Sequence, residues 1–223
     1  RLRLMEAGVR RGDPSGLCDS LRQSPLLAVL RPGSPAQAQR QIDAVAAAGF
    51  HHVELAWSQE PWWLELLQTL PNHWPDLRFG VAGVRWAEQL VVAHGQGLRF
   101  AMSPISCPEM WEQADALGLT LVPGVWSPSE VHRAGARGAV KLFPAASLGP
   151  SYWRQLRGPM APLPFCIAAG GLRPADLSAW FASGVEAVAL GSTLFDQQDL
   201  LHPGHAEQLE PYLHGITTNQ ETL

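Results

Sequence analysis

From about residue 25 onward one unit recurs along the chain: a short β-favouring run, a turn, an amphipathic stretch containing alanine, a glycine, and then the next run. The runs fall at 26–31, 52–57, 77–83, 98–104, 120–125, 139–144, 164–170 and 187–192. The helical stretches between them open at Ser34-Pro35, Cys107-Pro108, Ser127-Pro128 and Arg173-Pro174, because proline's fixed φ and missing N–H suit a first helical turn. They stop at Gly49, Gly97, Gly118, Gly135 or Gly138, and Gly184, where a residue without Cβ can turn left-handed. Each parallel strand pair needs a crossover, and tight strand–helix alternation supplies one every time. Eight such units predict an α/β fold, a closed (β/α)8 TIM barrel. A doubly wound open sheet is the alternative that pattern alone leaves standing.

At 223 residues with 46% apolar content the chain suits a single large domain. Residues 1–23 are expected as a short amphipathic helix capping the barrel bottom, 24–214 as the barrel with its last helix at 205–214, and 215–223 as a polar tail without fixed structure. A net charge of −4 and a charged fraction of 16% leave no basic stripe for nucleic acid. Cys18, Cys107 and Cys166 form no CxxC pair and are odd in number, which fits a reducing compartment, the cytoplasm by default. No apolar run approaches the ~18 residues of a membrane span. The eight histidines show no HxxxH spacing, and His51-His52 falls at the end of the barrel opposite the expected chemistry. With no P-loop, nucleophile elbow or complete dinucleotide fingerprint either, neither metal nor cofactor is expected.

The chain has one lysine against fifteen arginines, and Lys141 stands inside the apolar run Ala139-Val140-Lys141-Leu142-Phe143-Pro144. Only lysine of the two can lose its proton and attack a carbonyl, and desolvation among apolar neighbours lowers its pKa. Arginine bias from base composition would also leave lysine scarce, so the surroundings decide. Glu54, between Val53 and Leu55 in the second run, is an acid at a buried position; there it is either paired for stability or used for proton transfer. The seventh and eighth runs end in Gly170-Gly171 and Gly191-Ser192, on the two strands whose loops often hold phosphate in such barrels. Ser103-Pro104 and Val122-Pro123-Gly124 end runs four and five with small or rigid groups that leave room above an amine. Trp57 and Trp126 follow runs two and five, as walls of the mouth or as core and subunit contacts.

Taken together in this order, Val53-Glu54-Leu55, Ser103-Pro104, Val122-Pro123-Gly124, Val140-Lys141-Leu142-Phe143-Pro144-Ala145, Ala169-Gly170-Gly171 and Gly191-Ser192 resemble the KDPG/KHG aldolase family, over about residues 24–196. Within it, Leu27-Ala28-Val29-Leu30-Arg31 and the stretch from Phe143 to Tyr152 look most like the 2-dehydro-3-deoxy-6-phosphogalactonate branch. The resemblance implies a class I aldolase without a cofactor. It would cleave a 2-keto-3-deoxy-6-phosphosugar acid to pyruvate and glyceraldehyde 3-phosphate, with 4-hydroxy-2-oxoglutarate, cleaved to pyruvate and glyoxylate, as a further candidate. It further implies Lys141 as Schiff-base nucleophile, Glu54 as acid/base, Arg31, Ser103 and Pro104 at substrate, Gly170, Gly171, Gly191 and Ser192 around the phosphate, and a homotrimer.

Two positions depart from the family pattern. Where it commonly reads Gly-Ala-Gly-Thr-Val, this chain has Gly80-Val81-Ala82-Gly83-Val84, so the threonine hydroxyl near the pyruvyl carboxylate is missing at Gly83; Arg85 is the nearby candidate to compensate. Ser58 replaces an arginine that several members carry, though not those of the galactonate branch. A phosphosugar isomerase or synthase, or a keto-acid-binding homologue with weakened catalysis, are the rival readings.

Overall fold

The structure is a computed structural model that describes residues 15–213. Its strands are β1 (Leu26–Leu30), β2 (His52–Ala56), β3 (Arg78–Ala82), β4 (Phe100–Met102), β5 (Thr120–Val122), β6 (Gly124–Val125), β7 (Ala139–Leu142), β8 (Phe165–Ala169) and β9 (Ala187–Leu190). All pair in parallel, in the order β5-β4-β3-β2-β1-β9-β8-β7-β6. The two end strands are halves of one: Pro123, which has no N–H for a ladder, divides the fifth run into β5 and β6. Its carbonyl still accepts from the Lys141 N–H at 2.9 Å, so β7 meets the fifth position and the ring closes. The expected eight-position barrel is therefore present, as a (β/α)8 fold.

Helices α1 (Ser15–Gln23), α2 (Pro35–Ala47), α3 (Pro61–His73), α4 (Ala87–Gly95), α5 (Pro108–Leu117) and α6 (Pro128–Gly135) precede or separate the first strands. They are followed by α7 (Ala145–Leu148), α8 (Pro150–Met160), α9 (Leu177–Ser183) and α10 (Ala206–Leu213). The start signals work as capping chemistry: Ser34 Oγ accepts from Gln37 N, and Ser127 exchanges hydrogen bonds with Glu130 at both ends of a capping box. At the end of α6 it is Gly138 that turns left-handed, with φ 96°; Gly135 remains the last helical residue. The last helix lies within the expected 205–214, while His214, the tail at 215–223 and residues 1–14 fall outside the described residues.

The period of two along each strand sorts the buried residues into two cores. Leu26, Ala28, Val53, Leu55, Val140, Leu142, Val188 and Leu190 point outward and pack beneath the helices. Leu27, Phe100, Met102, Val122, Ile167, Ala187 and Ala189 fill the barrel interior. Leu17, Cys18 and Leu21 of α1 join that inner core, so this helix plugs the strands' N-terminal end. Ser20 Oγ and His52 Nε2 lie 2.7 Å apart, tying the plug to β2. Burial, reinforced by Arg78, pushes His52 down to about 4, so this contact is made by a neutral imidazole at pH 7.

Gly124 shows how tightly the ring closes. A Cβ added there would lie 2.4 Å from the carbonyl carbon and oxygen of Pro104, which are backbone atoms and cannot rotate away. Gly124→Ala is expected to destabilise the fold by about 1–3 kcal/mol, the usual cost of overpacking, read as a fall of several degrees in the thermal midpoint. An unchanged midpoint would show that the Pro104 backbone gives way without cost.

Candidate active site

At the carboxyl ends of the strands the barrel opens into a cavity of about 460 Å³. Lys141 and Glu54 both line it, because each sits at an inward position of its strand between two outward-facing apolar residues. Both are nearly sealed from solvent, at 6% and 1% exposure. Desolvation pushes the Glu54 carboxyl up to about 7 against the opposing pull of Lys141 and Arg31. Desolvation likewise pulls the Lys141 amine down to about 8, helped by Arg31 and resisted by Glu54. The two groups thus titrate close together around neutral pH, instead of at the widely separated values of exposed side chains. Lys141 Nζ lies 5.3 Å from the centre of the Phe143 ring, within cation–π range when charged. Glu54 Oε1 is buried and has no hydrogen-bond partner among the described residues. An unsatisfied buried carboxylate oxygen costs stability, and proteins keep such groups mainly where chemistry uses them.

The residues expected around this pair separate clearly. Arg31, Pro104, Gly170, Gly171, Gly191 and Ser192 all line the same cavity. Gly170 has φ 96°, and a Cβ there would press to 2.9 Å from the Phe143 ring, so the backbone approaches the cavity as only glycine allows. Ser103 is not among the lining residues; it is buried, and its Oγ accepts from the Ile105 N–H at 3.1 Å, closing a local turn. Neither Trp57 nor Trp126 lines the cavity: Trp57 packs on Trp63, with ring centres 5.0 Å apart, and Trp126 is exposed. Arg85 is exposed and also absent from the lining. Gly83 does line the cavity, and a Cβ there would meet nothing within 4 Å, so the space beside it is open.

Sequence reasoning missed the apolar wall formed by Val29, Ala169, Leu172 and Ala189, along with Thr193, whose Oγ1 donates to the Leu172 carbonyl. Counting inward by twos from the strand ends would have found Val29, Ala169 and Ala189. A larger cavity of about 620 Å³ opens at the opposite end, between α1 and the starts of β3 to β5, and no buried acid–amine pair lines it. Among the described residues no three His, Cys, Asp or Glu side chains gather as a metal site, and no helix is long and apolar enough to cross a membrane.

Comparison with known proteins adds names to this geometry. The profile of the KDPG and KHG aldolase family matches residues 17–210. The chain is 28% identical to the 2-dehydro-3-deoxy-6-phosphogalactonate aldolase of Escherichia coli over 173 residues, 77% of this chain and 84% of that protein. It is 30% identical to the 2-dehydro-3-deoxy-phosphogluconate aldolase of Pseudomonas aeruginosa over 158 residues, 69% of this chain and 70% of the other. Among solved structures, one described as native KDPGal superposes with a TM-score of 0.72 at 26% identity, covering 85% of this chain and 92% of that one.

Proposed function

The chain belongs to the KDPG and KHG aldolase family of lyases, and we propose that it is a class I aldolase releasing pyruvate from a 2-keto-3-deoxy-6-phosphosugar acid. The observation that carries this reading is the buried pair of Lys141 and Glu54 facing one cavity. Breaking a carbon–carbon bond beside a hydroxyl leaves an electron pair that needs a sink. Lys141 Nζ attacks the C2 carbonyl, the carbinolamine loses water, and the resulting iminium is that sink. Glu54 takes the proton of the C4 hydroxyl, directly or through a water; the C3–C4 bond breaks, its electrons form the enamine, and glyceraldehyde 3-phosphate leaves. Protonation of the enamine at C3 and hydrolysis return pyruvate and the free amine.

The backbone at Gly170, Gly171, Gly191 and Ser192 is proposed to hold the phosphate-bearing end, and Arg31 to contact the substrate beside it. This follows from the resemblance and is supported by their shared cavity. Pro104 completes the rim, and Ser103 acts through the turn it closes with Ile105. The galactonate acid is the first candidate substrate, given the branch resemblance, with unphosphorylated 4-hydroxy-2-oxoglutarate a second. A homotrimer is the proposed assembly. Trp86, Ile105 and Trp126, exposed just beyond β3, β4 and β6, offer the apolar surface it would cover. Cys18, Cys107 and Cys166, which form no CxxC pair, fit a cytoplasmic setting.

The open space at Gly83 favours one rival, a barrel that binds a keto acid and turns it over poorly. A panel of 2-keto-3-deoxy acids, with and without phosphate, assayed for pyruvate release decides between them. The aldolase reading expects turnover of at least one phosphorylated acid and a stable borohydride-reduced pyruvate adduct on the protein. Tight binding with neither turnover nor adduct would support the binder.

A further inference from the structure

Beyond the cavity, a single carboxylate gathers donors from a helix more than 150 residues away in the chain. Asp199 Oδ1 accepts from Gln37 Nε2 at 2.7 Å and from Gln41 Nε2 at 2.9 Å, while Oδ2 accepts from Arg40 Nη2 at 2.7 Å. Asp199 is buried and holds a left-handed backbone, φ 62°, as the sole non-glycine residue with positive φ among the described ones. A β-carbon resists that conformation, so the surrounding loop must impose it. It does so with a bridge between Phe195 and Leu201, and with hydrogen bonds from Asp196 N to Leu200 O and from Asp199 N to Asp196 O.

Gln37 carries the contact onward. Its Oε1 accepts from the Gly33 N–H at 2.7 Å, two residues beyond Arg31. The Gln37 amide donates to Asp199 through its nitrogen and accepts from Gly33 through its oxygen; a glutamate there would set two carboxylates against each other. The loops joined in this way leave β1 and β9, which are neighbours in the barrel, and bring Arg31 and the Gly191-Ser192 turn to the cavity.

Building on the proposed aldolase reading, we propose that Asp199 and Gln37 are a positioning pair that fixes the spacing between Arg31 and the Gly191-Ser192 turn, and thereby sets affinity for the phosphate-bearing end of the substrate. Neither residue touches the reacting atoms. Their loss should weaken binding of the whole sugar acid and leave capture of pyruvate, which has no phosphate end, as it was.

The test compares the parent chain with Gln37→Glu, Gln37→Leu, and the double change of Gln37→Glu with Asp199→Asn. In the double change the amide introduced at position 199 can donate to the carboxylate introduced at position 37, and the Gln41 amide, which shares that atom of Asp199, turns its oxygen to accept the second N–H, so the link to Gly33 is rebuilt with its central hydrogen bond reversed. Each single change is expected to raise KM for the phosphorylated acid roughly tenfold, the effect of losing one hydrogen bond to a charged group. The kcat value should stay within about threefold, and the pyruvate concentration half-saturating borohydride trapping should not move. The double change should return KM to within about threefold of the parent. Gln37→Leu removes the same link without burying a second charge, so misfolding of one single variant leaves the other to decide. Unaltered KM in the single variants, equal rises in KM and in the pyruvate half-saturation, or no rescue by the double change would each overturn the pair's role. If the parent itself traps no pyruvate, the aldolase reading fails, and the positioning proposal fails with it.

Discussion

Lys141→Arg is expected to lower kcat for cleavage by a factor of about 10⁴ or more, since the covalent route vanishes with the nucleophile. Arginine keeps the positive charge opposite Glu54, so a purely electrostatic role for residue 141 would survive the change. The measurement is pyruvate release coupled to its reduction, with the intact mass of the protein after borohydride treatment in the presence of pyruvate. The parent should gain one pyruvate-derived adduct and the variant none. Activity above about one per cent of the parent would remove the Schiff base from the mechanism.

The burial of this amine explains why so large a loss follows from one atom group. A lysine titrating at about 8 is roughly one-tenth neutral at pH 7, whereas an ordinary lysine is neutral in about three molecules of ten thousand. Placing the amine between Val140 and Leu142 on an inward strand position therefore raises its neutral fraction by some two orders of magnitude before any substrate binds. That supply depends on dehydration. An added water channel to Lys141 should return its titration toward the ordinary range.

Much of this was legible in the sequence because its carriers are backbone constraints. Proline at helix starts and glycine at helix stops mark conformations that other residues resist, and these marks placed the strand positions to within a few residues. Gly135 and Gly138 were indistinguishable by spacing; only the course of the chain after α6 selects the latter. The break at Pro123 was visible as a residue, but its consequence, a strand in two halves joined by a carbonyl, depends on β7 being next door. Lys141 and Glu54 stand out as candidates because each is a charge in an apolar run, and the structure brings both to one cavity. Ser103 was drawn toward the cavity by its neighbour Pro104, yet a serine hydroxyl two residues from a free N–H satisfies that group first. Trp57 and Trp126 stand at strand ends, but a ring's direction is set by what packs on it, as Trp63 does on Trp57. The link from Asp199 to Gln37 has no signature at all: it spans more than 150 residues, and its meaning comes from β1 and β9 lying side by side.

Glu54→Gln is expected to reduce kcat for cleavage by about 10²–10⁴, the usual range for a lost general acid–base, while the borohydride adduct with pyruvate still forms. The amide fills the same space but can neither take the C4 hydroxyl proton nor give one to the carbinolamine, so capture slows yet still reaches the adduct on long incubation, while bond breaking fails. The pH dependence gives an independent reading. In the parent the reactive form holds one proton between the two groups. As pH falls below about 7 both become protonated and the amine cannot attack; above about 8 both have lost their protons and none is left to expel water from the carbinolamine. The kcat/KM of the parent should therefore be bell-shaped, with flanks near these values. Removing the carboxylate also removes the influence that raises Lys141, so its titration moves lower still. The residual activity of the variant should rise with pH through that lower value and then stay level, without a falling limb. A bell that persists in Glu54→Gln, or cleavage within tenfold of the parent, would assign the proton transfer to another group. The buried Glu54 Oε1, without a hydrogen-bond partner among the described residues, would then need a different explanation.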